Sequence, residues 1–141
     1  MEGIKFVMSA PGCSGRGVWM RDLTPSERDK VAVSAAVEVG PGATNTEYGL
    51  ADIRNCVIRS LLAVTKDAIG EGENLQDLQD SDWIELTPQK LCQDPSSQTY
   101  YDRLFGSKDD SVLTGVFRRR NLVSSDDIDA ILGKAIAASS P

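Results

Sequence analysis

Hydrophobic positions along most of the chain follow the 3.6-residue period of helices, and strand character is confined to the N-terminal residues. Residues 4–8 and 17–21 are two short β-prone runs on either side of a loop rich in Gly and Pro, which predicts a hairpin. Thr24, Pro25 and Glu27 then have the pattern of a capping box, and small apolar residues follow until Gly40. This pattern predicts a closely packed helix over residues 24–39.

The strongest helical pattern lies in the middle of the chain. A set of apolar residues recurs there at helical intervals, namely Ile53, Val57, Leu61, Val64 and Ala68. Further apolar residues widen this face, so we predict one long helix that is buried on two sides, forms the centre of the core and ends at Gly70.

The second half of the chain opens with an acidic stretch, residues 71–82, which we interpret as a solvated linker. Thr87 and Pro88 predict the start of a short helix. Apolar residues between positions 100 and 117 predict one turn, and then a helix from about Lys108. Residues 124–136 have the capping residues and the periodicity of a final amphipathic helix.

These elements predict a single domain with a mainly α fold, of about four to five helices with an N-terminal β-hairpin. Its expected parts are a hairpin arm with a Gly-rich loop (1–23), core helices (24–70), the acidic linker (71–82) and C-terminal helices (83–138). A length of 141 residues suits one hydrophobic core. Hydrophobic residues at 40% and charged residues at 26% are typical of a globular chain.

Composition also narrows the class of partner. The formal net charge of -6 repels phosphate backbones and anionic headgroups, so we expect no nucleic-acid or membrane partner. No stretch has the length and apolar character of a membrane span, and the N-terminus lacks the layout of a signal peptide. Three widely spaced cysteines argue against a disulfide framework and indicate a reducing compartment.

Candidate catalytic chemistry is sparse. The chain has no histidine, the commonest general base, and no paired CxxC thiols. The N-terminal glycines lack the ending of a phosphate loop, and Asp77, Asp80 and Asp82 lack the spacing of a calcium loop. We therefore expect no enzyme activity, catalytic residue, metal or cofactor. A pair of carboxylates acting as acid and base stays open, because their separation cannot be read from a sequence.

What the pattern favours is a protein-binding role. Two tryptophans can act as exposed anchors, although core positions are the alternative for each. An arginine cluster at a helix end can either complement the helix dipole or form a docking patch. The final amphipathic helix offers an apolar face. The candidate partner-binding residues are therefore Trp19, Trp83, Arg118, Arg119, Arg120, Ile128, Ile131, Leu132 and Ile136.

Three parts of the chain resemble tail assembly chaperones of long-tailed bacteriophages. Residues 18–29 (VWMRDLTPSERD) are similar to the short strand and the Leu-Thr-x-x-Glu-Arg-Asp helix start of that family. Arg54 with residues 61–65 resembles its central helix, and residues 101–105 with 121–128 resemble its closing helices. The similarity spans most of residues 18–136.

The resemblance implies a small helical protein, made in the infected host cell, that coats the tape measure protein and recruits tail tube subunits. The expected partners are these tail proteins, the expected location is the host cytoplasm, and a homo-oligomer stays open. The alternative is a structural virion component, such as a baseplate, tube-end or neck protein, that is retained in the mature particle.

Overall fold

Helices and strands are mixed along the chain, around one antiparallel sheet. The computed structural model describes residues 3–70, 72–93 and 99–121. Over these residues the elements are β1 (Ile4–Val7), β2 (Arg16–Met20), α1 (Pro25–Val39), α2 (Asn45–Ser60), β3 (Leu61–Ala68), β4 (Trp83–Glu85), α3 (Pro88–Leu91), α4 (Tyr100–Leu104) and α5 (Ser107–Asn121). The described strands form a four-stranded sheet in the order β1-β2-β3-β4. The fold is therefore α+β, and the prediction of a mainly α fold is wrong.

The largest error of sequence interpretation lies at residues 61–68. The predicted long central helix ends at Ser60, and the chain passes directly into β3, which pairs with β2 on one side and β4 on the other. Leu61, Ala63 and Val64 are buried in this strand. A continuous apolar run fits a buried strand as well as a helix face, and the partner strands that decide between them are distant in sequence.

Several helix predictions are confirmed. Helix α1 starts with Pro25 after a complete capping box, in which Thr24 and Glu27 exchange hydrogen bonds, and Gly40 follows its end. Helix α3 starts at Pro88 with Thr87 as its cap. The short turn predicted near residue 100 is α4, and the helix predicted from about Lys108 is α5. The N-terminal hairpin is also present, because β1 pairs with β2. The predicted helix over residues 124–136 lies outside the described residues.

The hydrophobic core lies between the helices and one face of the sheet. Strand register aligns Phe6, Val18, Val64 and Ile84 in one row across all four strands on this face. Side chains of α1 to α5 pack against the same cluster, including Val31, Val57, Leu91, Tyr101, Leu113 and Phe117. Since the helices cover this face, the next row of residues along the strands must point to the opposite, outer face.

Residues 72–82 form two 3-10 turns, Leu75–Asp77 and Asp80–Asp82. A Cβ atom added to Gly17 would lie 2.5 Å from the Leu75 side chain and 3.0 Å from that of Thr65, so the leucine packs against the backbone of β2. The Gly17 N–H donates to the buried Thr65 hydroxyl at 2.9 Å. Part of the outer sheet face is therefore covered by this acidic segment.

The glycine-rich loop between β1 and β2 is held to the start of α5 by one buried carboxylate. Asp109, 3% exposed, accepts hydrogen bonds from the Ser14 N–H at 3.0 Å and from the Gly106 N–H at 3.3 Å. Burial and the neighbouring Asp109 carboxylate raise the pKa of the Cys13 thiol. This carboxylate thus joins residues that are 95 positions apart in the sequence.

Candidate functional site

Both tryptophans lie on the outer face of the sheet. Register aligns Lys5, Trp19, Ala63 and Glu85 in one row across the four strands, and Trp83 stands opposite Thr65 on the same side. Trp19 and Trp83 therefore belong to strands that are separated by β3. Because Ala63 has only a methyl group, the two indole rings can meet over it.

The rings form an edge-to-face pair. Their centroids are 6.2 Å apart and their planes are inclined by 62°. Each tryptophan is half-buried. The ammonium of Lys5 lies 4.3 Å from the Trp19 ring centroid and 5.5 Å from the Trp83 ring centroid, so one cation contacts both π systems. We call Lys5, Trp19 and Trp83 together the tryptophan surface.

A groove with a volume of about 430 Å³ adjoins the tryptophan surface. Its apolar walls come from Leu62, Ala63 and Leu86 together with the two indole rings. Two exposed carboxylates, Asp80 and Glu85, also line it. The groove thus combines aromatic faces, aliphatic walls and negative charge, which is an arrangement that attracts cations.

The structure places two of the three arginines of the predicted basic cluster at one groove and the third at another. Arg120 binds the Asp22 carboxylate through two nitrogens, at 2.9 and 3.1 Å. Arg119 and Arg120 both line a groove of about 420 Å³ beside β1. Arg118 lines a third groove, of about 410 Å³, between α2 and α5. Arg119 and Arg120 therefore share one groove, whereas Arg118 lies at a different groove of the same helix.

The remaining predicted contacts, Ile128, Ile131, Leu132 and Ile136, lie outside the described residues. Other exposed apolar side chains are present on the helices. Val33 and Val37, one turn apart on α1, are 66% and 77% exposed, and Leu50 on α2 is 64% exposed. Exposed aliphatic residues occur singly on most proteins, so these are weaker indicators of binding than the tryptophan surface.

Groups with shifted pKa values lie away from the groove. Burial, assisted by the Asp52 carboxylate, raises the pKa of the Cys56 thiol to about 11. Burial also raises the pKa of Tyr101, whose hydroxyl donates to Asp110 at 2.6 Å. A thiol with a raised pKa is largely protonated at neutral pH and is a weak nucleophile. These shifts follow from packing and hydrogen bonding in the core.

The electrostatics near the start of α1 are also structural. Hydrogen bonds from the Arg21 guanidinium hold the pKa of the Glu27 carboxyl far below its usual range, and the capping bond from the Thr24 N–H adds to this effect. Arg59 approaches the same carboxylate at 3.4 Å. Glu27 therefore joins the loop before α1 to the end of α2.

Sequence interpretation identified both tryptophans but missed Lys5 and Glu85, and it assigned Asp80 to a solvated acidic linker without a binding role. In the structure residues 18–20 and 83–85 lie in strands, where side chains alternate between the two faces of the sheet. This alternation predicts which side chains share a face within one strand. It cannot predict which strands become neighbours, and the neighbours bring these five residues together.

Fold and surface together define an α+β domain with an aromatic, acidic groove on its sheet. No protein family model matches the chain, and no curated protein or solved structure is significantly similar to it. No helix within the described ranges has the length and apolar character needed to cross a membrane. The same part of the chain contains no group of three His, Cys, Asp or Glu side chains placed to hold a metal ion.

Proposed function

We propose that this protein is a non-enzymatic tail assembly chaperone of a long-tailed bacteriophage. In this role it binds the tape measure protein and recruits tail tube subunits. The observation that carries the proposal is the tryptophan surface beside its groove, because tryptophan is enriched among the residues that contribute most to protein–protein binding. The resemblance to tail assembly chaperones indicates which partners to expect, namely the tape measure protein and the tail tube subunits.

The first of the three segments behind the resemblance, residues 18–29, occupies one continuous part of the fold. Residues 18–29 contain most of β2, the loop that follows it and the capped start of α1. Trp19 belongs to this segment and contributes directly to the tryptophan surface. The binding surface lies on the sheet, so the proposal does not require the mainly helical fold that the resemblance implied.

The physical properties of the surface suit a chaperone. A tape measure chain exposes long apolar helix faces before assembly, and such faces aggregate unless a partner covers them. Rigid indole rings supply apolar contact area with little loss of conformational entropy. The net charge of -6 helps to keep the resulting complex soluble.

Co-expression with the tape measure protein of the same phage tests the proposal. We expect a soluble complex that survives affinity purification with the wild-type chain. Trp83→Leu, which keeps apolar bulk but removes the indole ring, should reduce recovery of the complex. Tyr100→Ala is a matched control, because Tyr100 is another half-buried aromatic residue that contacts cations, but on α4. Circular dichroism should verify that both variants are folded.

Failure of the wild-type chain to co-purify with the tape measure protein would contradict the proposal. Mass spectrometry of purified phage particles is an independent check, since a chaperone leaves before the particle matures. A stoichiometric amount of the protein in mature particles would instead favour a structural virion component.

A further inference from the structure

The groove beside the tryptophan surface has the chemistry of a site for a basic side chain. We propose that it receives a lysine or arginine of the protein partner, and that Lys5 covers the two indole rings until the partner binds. The inference rests on the proposed function, because it takes the tryptophan surface to be the site of partner binding. The inference extends the proposed function by stating which class of partner side chain the groove recognises.

The position of Lys5 is the first observation behind this assignment. Lys5 is exposed, yet its ammonium lies within 6 Å of both ring centroids, the range of cation–π attraction. The chain therefore already shows that a cation is accommodated between Trp19 and Trp83. An exposed lysine on the edge strand β1 can leave this position without unfolding the sheet, because its side chain holds no core contact.

The groove itself is the second observation. A lysine or arginine has an aliphatic stem and a charged head, and the groove offers both kinds of surroundings. Leu62, Ala63 and Leu86 form an apolar wall for the stem, while Asp80 and Glu85 supply negative charge for the head. The indole faces, which carry negative electrostatic potential, add to the attraction.

Charge also disfavours the other occupants. An acidic side chain would meet two carboxylates and two negative ring faces, in a protein whose net charge is -6. A purely aliphatic side chain would cover the Asp80 and Glu85 carboxylates without offering a hydrogen bond, and desolvation of a charge is unfavourable. A basic side chain fits the groove best, because its apolar stem matches the aliphatic wall and its positive head matches the carboxylates and the indole faces.

Binding of small probes to the isolated, full-length chain tests the inference. The chain has two tryptophans, so two indole N–H signals in a proton–nitrogen correlation spectrum report directly on the surface. The probes are Nα-acetyl-arginine amide, Nα-acetyl-lysine amide, uncharged Nα-acetyl-norleucine amide and choline chloride. We expect the two cationic amino acid amides to shift both indole signals in a saturable way, and norleucine amide to shift them much less.

Lys5→Met provides the sharpest comparison. Methionine keeps an unbranched apolar stem but removes the ammonium that competes with the probe. Affinity for arginine amide should rise roughly two- to fivefold, the scale of one exposed cation–π contact. Lys30→Met on α1 is the matched control and should leave the affinity unchanged. The double variant Asp80→Asn, Glu85→Gln should weaken binding of both cationic amides by a similar factor.

Three results would overturn the inference: norleucine amide binding as tightly as arginine amide, no gain of affinity in Lys5→Met, or choline binding more tightly than either amino acid amide. The last result would indicate a quaternary ammonium headgroup instead of a protein side chain. These outcomes are separable from the proposed function. Co-purification with the tape measure protein, combined with no probe binding, would retain the chaperone role and place the contact elsewhere.

Discussion

Replacing Asp109 by alanine should release the glycine-rich loop from α5 and destabilise the whole domain. The carboxylate accepts hydrogen bonds from the Ser14 and Gly106 N–H groups at 3.0 and 3.3 Å, and it is 3% exposed. A hydrogen bond to a charged group contributes about 1.5–3 kcal/mol. Because Ser14 and Gly106 are themselves exposed, water can replace part of each bond in the variant. We therefore expect a loss of about 2–3 kcal/mol in the free energy of unfolding.

Urea unfolding followed by tryptophan fluorescence measures this loss, since both tryptophans lie in the sheet. Hydrogen exchange at the Ser14 amide measures the local effect, and protection there should fall in Asp109→Ala. Asp29→Ala is the matched control: Asp29 is an exposed acidic residue on α1, and its loss should change stability by no more than about 0.5 kcal/mol. If both variants unfold at the same urea concentration and Ser14 keeps its protection, the carboxylate does not anchor the loop.

Three further predictions concern glycine packing, pH dependence and thiol reactivity. Gly17→Ala should destabilise by about 1–3 kcal/mol because its Cβ would clash with the Leu75 side chain, whereas Gly49→Ala, on α2 and without a close neighbour, should stabilise by about 0.5–1 kcal/mol in thermal unfolding. Glu27→Gln should reduce stability at neutral pH. The difference from wild type should shrink as pH falls below about 4.3, since the folded-state pKa of Glu27 is depressed and protons then bind preferentially to the unfolded wild-type chain; equal sensitivity to acid in both proteins would contradict this. The buried Cys56, with a pKa of about 11, should react with a disulfide reagent only after denaturant is added, and fast labelling of Cys56 in the native protein, identified by peptide mapping, would refute that burial.

The local pattern of residues was sufficient to predict where most helices start. Thr24 with Glu27, and Thr87 before Pro88, predicted the starts of α1 and α3, because a cap is made by residues within one turn of each other. The hairpin of β1 and β2 was predictable for the same reason, since its two strands are separated only by a short loop.

Residues 61–68 form a strand that their local pattern does not predict. Val64 continues the helical period of the residues before it, but it also stands opposite Val18 in β2 and Ile84 in β4. The backbone of β3 finds hydrogen-bond partners on both sides only when those strands are present. A helix makes its hydrogen bonds locally, so the sequence alone favoured the wrong structure here.

The candidate site was also only partly predictable from the sequence. The sequence by itself determined that the protein carries two tryptophans, no histidine and a net negative charge. These features favoured a protein-binding role over catalysis by histidine. Only the tertiary structure decided that Trp19, Trp83, Asp80 and Glu85 line one groove and that Lys5 lies over its two indole rings. The physical reason is that neighbours on a sheet face come from different strands, and strand pairing depends on the packing of the whole chain.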